Sequence, residues 1–242
     1  MSTAPAPAAE PVPFKKSVGR EYLESIVVAV ILALFIRTFV VQAFKIPTGS
    51  MEENLLIGDH LLVNKIVYSP SPARGLEDKL LGKRPVERGH VVVFKFPEDP
   101  QRDFIKRVIG LPGETVEIRN KTIFIDGQPL DESAYVHFLE PPLKPGDPEY
   151  GLRGEGLRDN WGPQVVPDGK LFVLGDNRDN SRDSRFWGFL PRDQVKGRAL
   201  LVYWSYEASR EEYHRTGYAA WIRDTVAALG KTRWKRFFHL IR

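Results

Sequence analysis

The stretch Ser25–Phe44, SIVVAVILALFIRTFVVQAF, constrains this chain more than any other part of it. Its 20 residues hold a single charge, Arg37. As a helix, 20 residues rise roughly 30 Å, about the hydrocarbon thickness of a bilayer. Three readings compete: a buried core helix, a cleaved secretory signal and an uncleaved membrane span. The uncharged part, Ser25–Ile36, is short enough for a signal. However, no small-x-small pattern follows it, and Phe44-Lys45-Ile46-Pro47 is a poor cleavage site. The reading adopted is an uncleaved anchor over residues 25–44. Arg37 lies near its C-terminal end, where a long stem can snorkel to the headgroups. Lys15, Lys16 and Arg20 precede it, which argues for an N-terminus in the cytoplasm. Everything after residue 45 is then expected outside. Residues 1–24 read as a disordered cytoplasmic tail, because the Ala/Pro-rich start has little to bury. On this reading, deleting residues 1–44 should release a less efficient domain that still prefers detergent or lipid.

Average composition conceals the span. The chain of 242 residues is 42% hydrophobic and 27% charged, with a net charge of +4. Mild basicity suits an anionic membrane surface or nucleic acid without choosing between them. There is no cysteine. That removes disulfides, thiolate metal sites and a Cys nucleophile, while leaving the redox compartment open.

Residues 45–205 read as a mainly β domain. His90–Phe96, Phe104–Ile109, Thr115–Arg119, Thr122–Asp126, Lys170–Leu174 and Arg198–Trp204 are short and rich in β-branched and aromatic residues. TVEIR-NK-TIFID alternates at period two about Asn120–Lys121, a hairpin pattern. Residues 69–88 and 127–168 are rich in Pro and Gly and read as loops, the latter as a peripheral insertion. Residues 206–242 read as a C-terminal amphipathic basic helix. Tyr218, Trp221, Ile222, Thr225, Val226 and Leu229 recur at helical spacing. Trp234, Phe237, Phe238 and Ile241 would share a face beside Lys231, Arg233, Lys235, Arg236 and Arg242. Such a segment suits a membrane interface or a helix packed on the domain.

The candidate nucleophile is Ser50, in Pro47-Thr-Gly-Ser-Met51. Pro47 and Gly49 favour a tight bend that exposes the serine, with its own N–H and the Thr48 hydroxyl as natural oxyanion donors. A serine needs a base. None of the five histidines sits in a triad context, and neither Gly-x-Ser-x-Gly nor Ser-x-x-Lys occurs. Lys106 is the candidate. A strand through Phe104-Ile-Lys-Arg-Val108 puts Phe104, Lys106 and Val108 on one buried face and Arg107 on the other, away from it. Burial lowers a lysine pKa, because the charged form loses hydration. A third segment, Gly175–Phe189 (GDNRDNSRDSRFWGF), follows an apolar strand. In it Asp176, Asp179 and Asp183 interleave with Arg178, Arg182 and Arg185, a pattern for an ion-pair network within the loop. Ser181 is placed to hydrogen-bond and orient a lysine amine. A Ca²⁺ loop is not supported, since EF-hand spacing is missing. Nor is a nucleic-acid loop, since no aromatics interleave.

Taken together, PTGSM with LLIGDHLLVNK (55–65), RGHVVVFKFP (88–97), FIKRVIGLPGE (104–114) and GDNRDNSRDSRFWGF (175–189) resemble the bacterial type I signal peptidases, over roughly residues 25–205. The resemblance implies coiled antiparallel sheets carrying a Ser–Lys endopeptidase that cuts signal peptides from secretory precursors. It implies a single-pass protein of the cytoplasmic membrane, with its catalytic domain outside, and no metal or cofactor. Its partners would be precursors and the lipid bilayer, not nucleic acid; oligomeric state stays open. By the same resemblance, Ser50 is the nucleophile, Lys106 the base, Ser181 its orienting hydroxyl and Thr48 an oxyanion donor. Asp183 and Arg185 form a structural pair beside the site, with Asp176 close by. Ile46, Pro47, Met51, Leu55 and Ile105 match positions that line substrate pockets. Two departures stand out: Glu53–Asn54 where the family often has Pro-Thr, and His90 where it often has Asp. Another Ser–Lys processing protease and a non-catalytic membrane-anchored β scaffold are the alternatives.

Overall fold

In the computed structural model, the residues described are 17–65, 85–142, 156–207 and 230–241. The chain divides into two compact units, residues 1–38 and 39–242. Within the first, helix α1 (Val18–Phe35) begins at Val18, not at Ser25. Ser17 caps it by accepting the Arg20 N–H on its side chain, and Arg20 pairs with Glu24 one turn on at 2.9 Å. Residues 18–24 are therefore helical, where a tail was expected; residues 1–16 lie outside the described set. None of the α1 residues is buried, and Leu23, Ile26, Val28, Ile31 and Leu34 all stand exposed. A helix of this length and apolar character with an exposed surface is what a bilayer would cover.

The apolar run leaves the helix before its end. After a π-helical stretch, Ile36–Val40, the chain becomes strand β1 (Val41–Lys45). Hydropathy alone does not separate a helix end from a strand in VQAF. Pairing decides it: β1 runs antiparallel to β2 (Asp59–Asn64) from Val41↔Asn64 to Lys45↔His60. The anchor segment is thus helical over Val18–Val40, and residues 41–44 belong to the β unit.

The remaining strands are β3 (Val91–Phe96), β4 (Asp99–Gly110), β5 (Thr115–Arg119), β6 (Thr122–Ile125), β7 (Gln128–Pro129), β8 (Trp161–Val165), β9 (Lys170–Leu174), β10 (Leu190–Pro191), β11 (Val195–Ser205) and β12 (His239–Leu240). Two short helices, α2 (Gly156–Asp159) and α3 (Ser184–Trp187), flank β8 and β10. All strand pairs are antiparallel. The larger sheet runs β1-β2-β11-β3-β4-β9-β10 with β12 beside β11; the smaller runs β7-β6-β5-β8. Asn120 and Lys121 turn the β5–β6 hairpin with φ of 48° and 68°, the left-handed values a two-residue turn needs.

Strand β3 explains the core. Val91 and Val93 enter one apolar cluster with Ile46, Met51, Leu55, Leu61 and Ile105. Val92 and Phe94 enter a second with Val108, Leu171 and Val173. Period-two alternation thus feeds two cores from one strand, so HVVVF has no polar face. A third cluster joins Ile109 and Phe172 to Val116, Ile118, Ile123 and Trp161 of the smaller sheet.

Two expectations are corrected. The 127–168 segment is not only loop: β7 and β8 within it are strands of the smaller sheet, and Trp161 is core. Its signal is hidden because Gly162 and Pro163 interrupt β8. The C-terminal residues 231–241 are not helical. Tyr206 bridges Thr232, a single 3₁₀ turn spans Trp234–Arg236, and His239–Leu240 adds to β11. An open stretch of β11 and buried acceptors for the arginines outweigh helical propensity here. The helical pattern over Tyr218–Leu229 lies outside the described residues.

Because β1 belongs to the larger sheet, truncations should divide sharply. Deleting residues 1–38 should leave a cooperatively folding unit. Deleting residues 1–44 removes the strand that covers β2 and should lower Tm by at least about 5 °C relative to the shorter deletion, read by thermal melts of both.

Candidate active site

Ser50 sits in the connection between β1 and β2. That connection is closed at its base by Ile46 N–H donating to Asp59 O at 2.9 Å and Gly58 N–H to Ile46 O at 3.0 Å. Within it, the Glu52 N–H bonds Gly49 O and the Leu55 N–H bonds Met51 O, while Met51 and Leu55 anchor in the core. The 175–189 loop holds the other side. Asn177 donates its N–H to Ser50 O and its Nδ2 to Gly49 O, each at 3.2 Å. Gly175 passes so close that an added Cβ would lie 2.4 Å from Ser50 O and 2.2 Å from Ser181 Oγ.

Lys106 projects from β4 onto the serine. Its Nζ lies 2.7 Å from Ser50 Oγ and 2.9 Å from the Ile105 carbonyl, and the residue is 3% exposed. Burial lowers its pKa to about 8. The Asp183 and Asp176 carboxylates work against that shift and Arg185 works with it. Holding an amine at that value costs about 3 kcal/mol relative to water.

The opposite face of β4 is buried too, which corrects the expectation that Arg107 points away from the interior. Arg107 is 2% exposed. Its Nε and Nη2 donate to Asp176 at 2.7 and 2.6 Å, its Nη1 donates to Gly89 O, and Tyr135 stacks 4.1 Å from it. Asp176 also accepts Asn54 Nδ2 at 2.9 Å.

The loop's charges do not form one internal network. Only Asp183 and Arg185 pair within it, at 2.8 Å. Each other charge ties the loop to a different element: Asp176 to Arg107, Arg178 to Glu132, Asp179 to Lys121 and Arg182 to Glu98. Alternating signs in sequence therefore mark separate anchors. Burial alone would raise the Asp183 pKa, but the Arg185 guanidinium outweighs it, and the Gly175 N–H helps hold the carboxyl low.

The structure brings Pro47, Thr48, Ser50, Ile105 and Lys106 together around one open cleft of about 380 Å³. Ile46, Pro47 and Ile105 also line a smaller hollow of about 30 Å³ beside it. Met51 and Leu55 do not face the cleft; both are fully buried core residues. Ser181 is buried near the Ser50 backbone but makes no hydrogen bond to Lys106. Its Oγ has no partner of ordinary geometry, though it lies close enough to Asp183 to favour the ionised carboxylate. Arg107, Asn54, Asn177 and Glu132 were missed, because their role depends on contacts 46 to 128 residues away in sequence. Among the described residues, no three His, Asp or Glu converge as a metal site would require.

A serine hydroxyl held against a buried amine, on the floor of an open cleft, is hydrolase geometry. The family model for signal peptidase, peptidase S26, matches residues 19–204, and the chain belongs to that family. A Signal peptidase I of Leptolyngbya laminosa is 39% identical over 209 residues, covering 84% of this chain and 88% of its own. One of Aquifex aeolicus is 34% identical over 231 residues, covering 77% and 84%. A crystal structure of a signal peptidase I from Enterococcus faecalis is 35% identical and covers 48% of this chain and 97% of its own, with a TM-score of 0.36.

Gly175 offers a direct check on the site's geometry. Gly175→Ala forces the Ser50 carbonyl to move, so precursor cleavage should fall on the order of 100-fold while far-UV circular dichroism stays native.

Proposed function

We propose that the protein is a membrane-anchored serine endopeptidase that removes signal peptides from secretory precursors, with Ser50 as nucleophile and Lys106 as general base. The observation that carries this reading is the 2.7 Å contact between Lys106 Nζ and Ser50 Oγ, made by an amine whose pKa is lowered to about 8. A neutral Lys106 accepts the hydroxyl proton as Oγ bonds to the scissile carbonyl carbon. The Ser50 N–H and Thr48 hydroxyl are assigned to the oxyanion. Lys106 then returns the proton to the departing amine, leaving an acyl-enzyme. Water, deprotonated by the same amine, attacks the ester and frees Ser50. Ser181 is assigned a secondary part, supporting the Asp183 side of the lysine's surroundings.

An extended peptide in the cleft presents alternate side chains to one wall. The hollow beside Ile46, Pro47 and Ile105 is small, which favours short side chains such as those before a signal-peptide cleavage site. The exposed apolar helix supports a membrane anchor. Lys15, Lys16 and Arg20 support an N-terminus in the cytoplasm and a catalytic unit outside. Trp234, Phe238 and Leu240 are exposed beside Lys231 and Lys235, so residues 231–241 keep an interfacial character without a helix. A non-catalytic scaffold would gain nothing from a desolvated amine set against a hydroxyl.

The test is precursor cleavage by wild type, Ser50→Ala and Lys106→Met in detergent. Each variant should lose about three orders of magnitude or more in kcat/KM. Lys106→Met should be no less stable than wild type, because it removes a buried amine and keeps its volume. Lys106 works unprotonated, so kcat/KM should be full above about pH 9 and fall roughly ten-fold per unit well below pH 8. A flat profile from pH 5 to 9, or an active Lys106→Met, would remove the lysine from this role.

A further inference from the structure

The C-terminal segment lies beyond the residues matched by the family model, which end at 204. It nevertheless reaches the loop that carries Ser50. Arg236 Nε and Nη2 donate to the two Asp59 carboxylate oxygens at 3.1 and 2.6 Å, and Nη2 also donates to the Asn54 carbonyl at 2.7 Å. Asp59 is fully buried. Its carboxylate accepts the Leu56 N–H at 2.8 Å, and its carbonyl accepts the Ile46 N–H at 2.9 Å. Arg233 adds a bond from Nη1 to Ile57 O at 3.0 Å, and its N–H donates to Ser205 O at 2.8 Å. The segment is itself fixed to the sheet by the Ile241 N–H on Leu200 O at 2.9 Å and by the pairing of β12 with β11.

We infer that Arg236 is a positioning residue for the nucleophile, acting through Asp59 and Asn54 to hold the exit limb of the Ser50 loop. The entry limb is fixed by β1 pairing with β2. The exit limb closes at Gly58 on Ile46 and Tyr206, but residues 51–57 are turn and irregular backbone that need other restraints. Asn54 gives the restraint a route to the chemistry. Its carbonyl accepts Arg236, while its Nδ2 donates to Asp176 at 2.9 Å and to Tyr135 O at 2.7 Å. Asp176 directly precedes Asn177, whose N–H and Nδ2 hold the Ser50 and Gly49 carbonyls. Two covalently distant segments thus meet at one turn, with Asn54 bonded to both.

The inference rests on the proposed peptidase reading, and the experiment separates the two. Full-length wild type, Arg236→Ala, Arg236→Lys and Lys235→Ala are compared in detergent for kcat, KM and thermal unfolding on one precursor. Arg236→Ala should lose on the order of ten-fold in kcat with KM changed less than two-fold, because the exit limb's geometry changes while the hollow lined by Ile46, Pro47 and Ile105 lies outside that limb. Arg236→Lys, which keeps the charge on Asp59 but cannot donate as a planar fork, should recover part of that loss. Lys235→Ala, an exposed neighbour of the same charge, should match wild type. If Arg236→Ala unfolds, Arg236→Lys decides, and a Lys variant with wild-type kcat overturns the inference. So does Arg236→Ala within two-fold of wild type, an equal loss in Lys235→Ala, or a loss that merely follows the folded fraction. A wild-type chain that leaves the precursor intact overturns the peptidase reading, and this inference falls with it.

Discussion

The buried pair of Arg107 and Asp176 is the contact on which the site's geometry depends. Both side chains are almost wholly removed from water, so their desolvation must be offset by complete hydrogen bonding. The fold supplies it. Arg107 donates from each of its three nitrogens, to both Asp176 oxygens and the Gly89 carbonyl, and Asp176 takes an additional bond from Asn54. This one pair therefore ties β4, the 175–189 loop and the Ser50 loop together. Arg107 is the immediate neighbour of Lys106, so pinning one face of β4 also fixes where the other face delivers its amine. Removing one partner from a pair buried this way typically costs about 3–5 kcal/mol, because the remaining charge is stranded.

Protonation at the site is set first by burial, which lowers the Lys106 pKa. The Asp183 and Asp176 carboxylates favour the charged amine, and the Arg185 guanidinium paired with Asp183 opposes it. The acidic residues around the site thus tie the loop to its neighbours while burial keeps the amine below an ordinary lysine. That explains why acids and arginines occur together so densely in a stretch that, by hydropathy, looks like solvent-exposed loop.

Legibility in the sequence followed the range of the contacts. TVEIR was readable because alternation is a local property, and KLFVL because a short run of apolar, β-branched and aromatic residues is one too; the Asn120–Lys121 turn was readable for the same reason. The apolar run was readable as a whole but not at its ends, since VQAF serves a helix or a strand equally until β2 is there to pair with it. β2 and β8 were missed: one sits inside a loop-like motif and the other is broken by Gly162 and Pro163. At the site, residue type and neighbours made Ser50 and Lys106 candidates, and the resemblance to the signal peptidases gave them their roles. Arg107 was misplaced, because a single strand shows which face a residue takes but not that both faces are covered. The C-terminal basic residues carried a helical pattern. Arg233 and Arg236 instead meet the Ile57 and Asn54 carbonyls of the Ser50 loop and the buried Asp59 carboxylate, which no local pattern encodes.

The spacing of the site along the chain has a consequence for how the enzyme comes into being. Ser50 and Lys106 stand well before Gly175–Arg185 in the chain, yet that loop supplies the bonds that hold the Ser50 and Gly49 carbonyls. A chain cut after its first two-thirds has the serine and the lysine but none of those bonds. The loop follows β9, which pairs with β4, the strand that carries Lys106, so the pairing of those two strands is what carries the loop to the nucleophile.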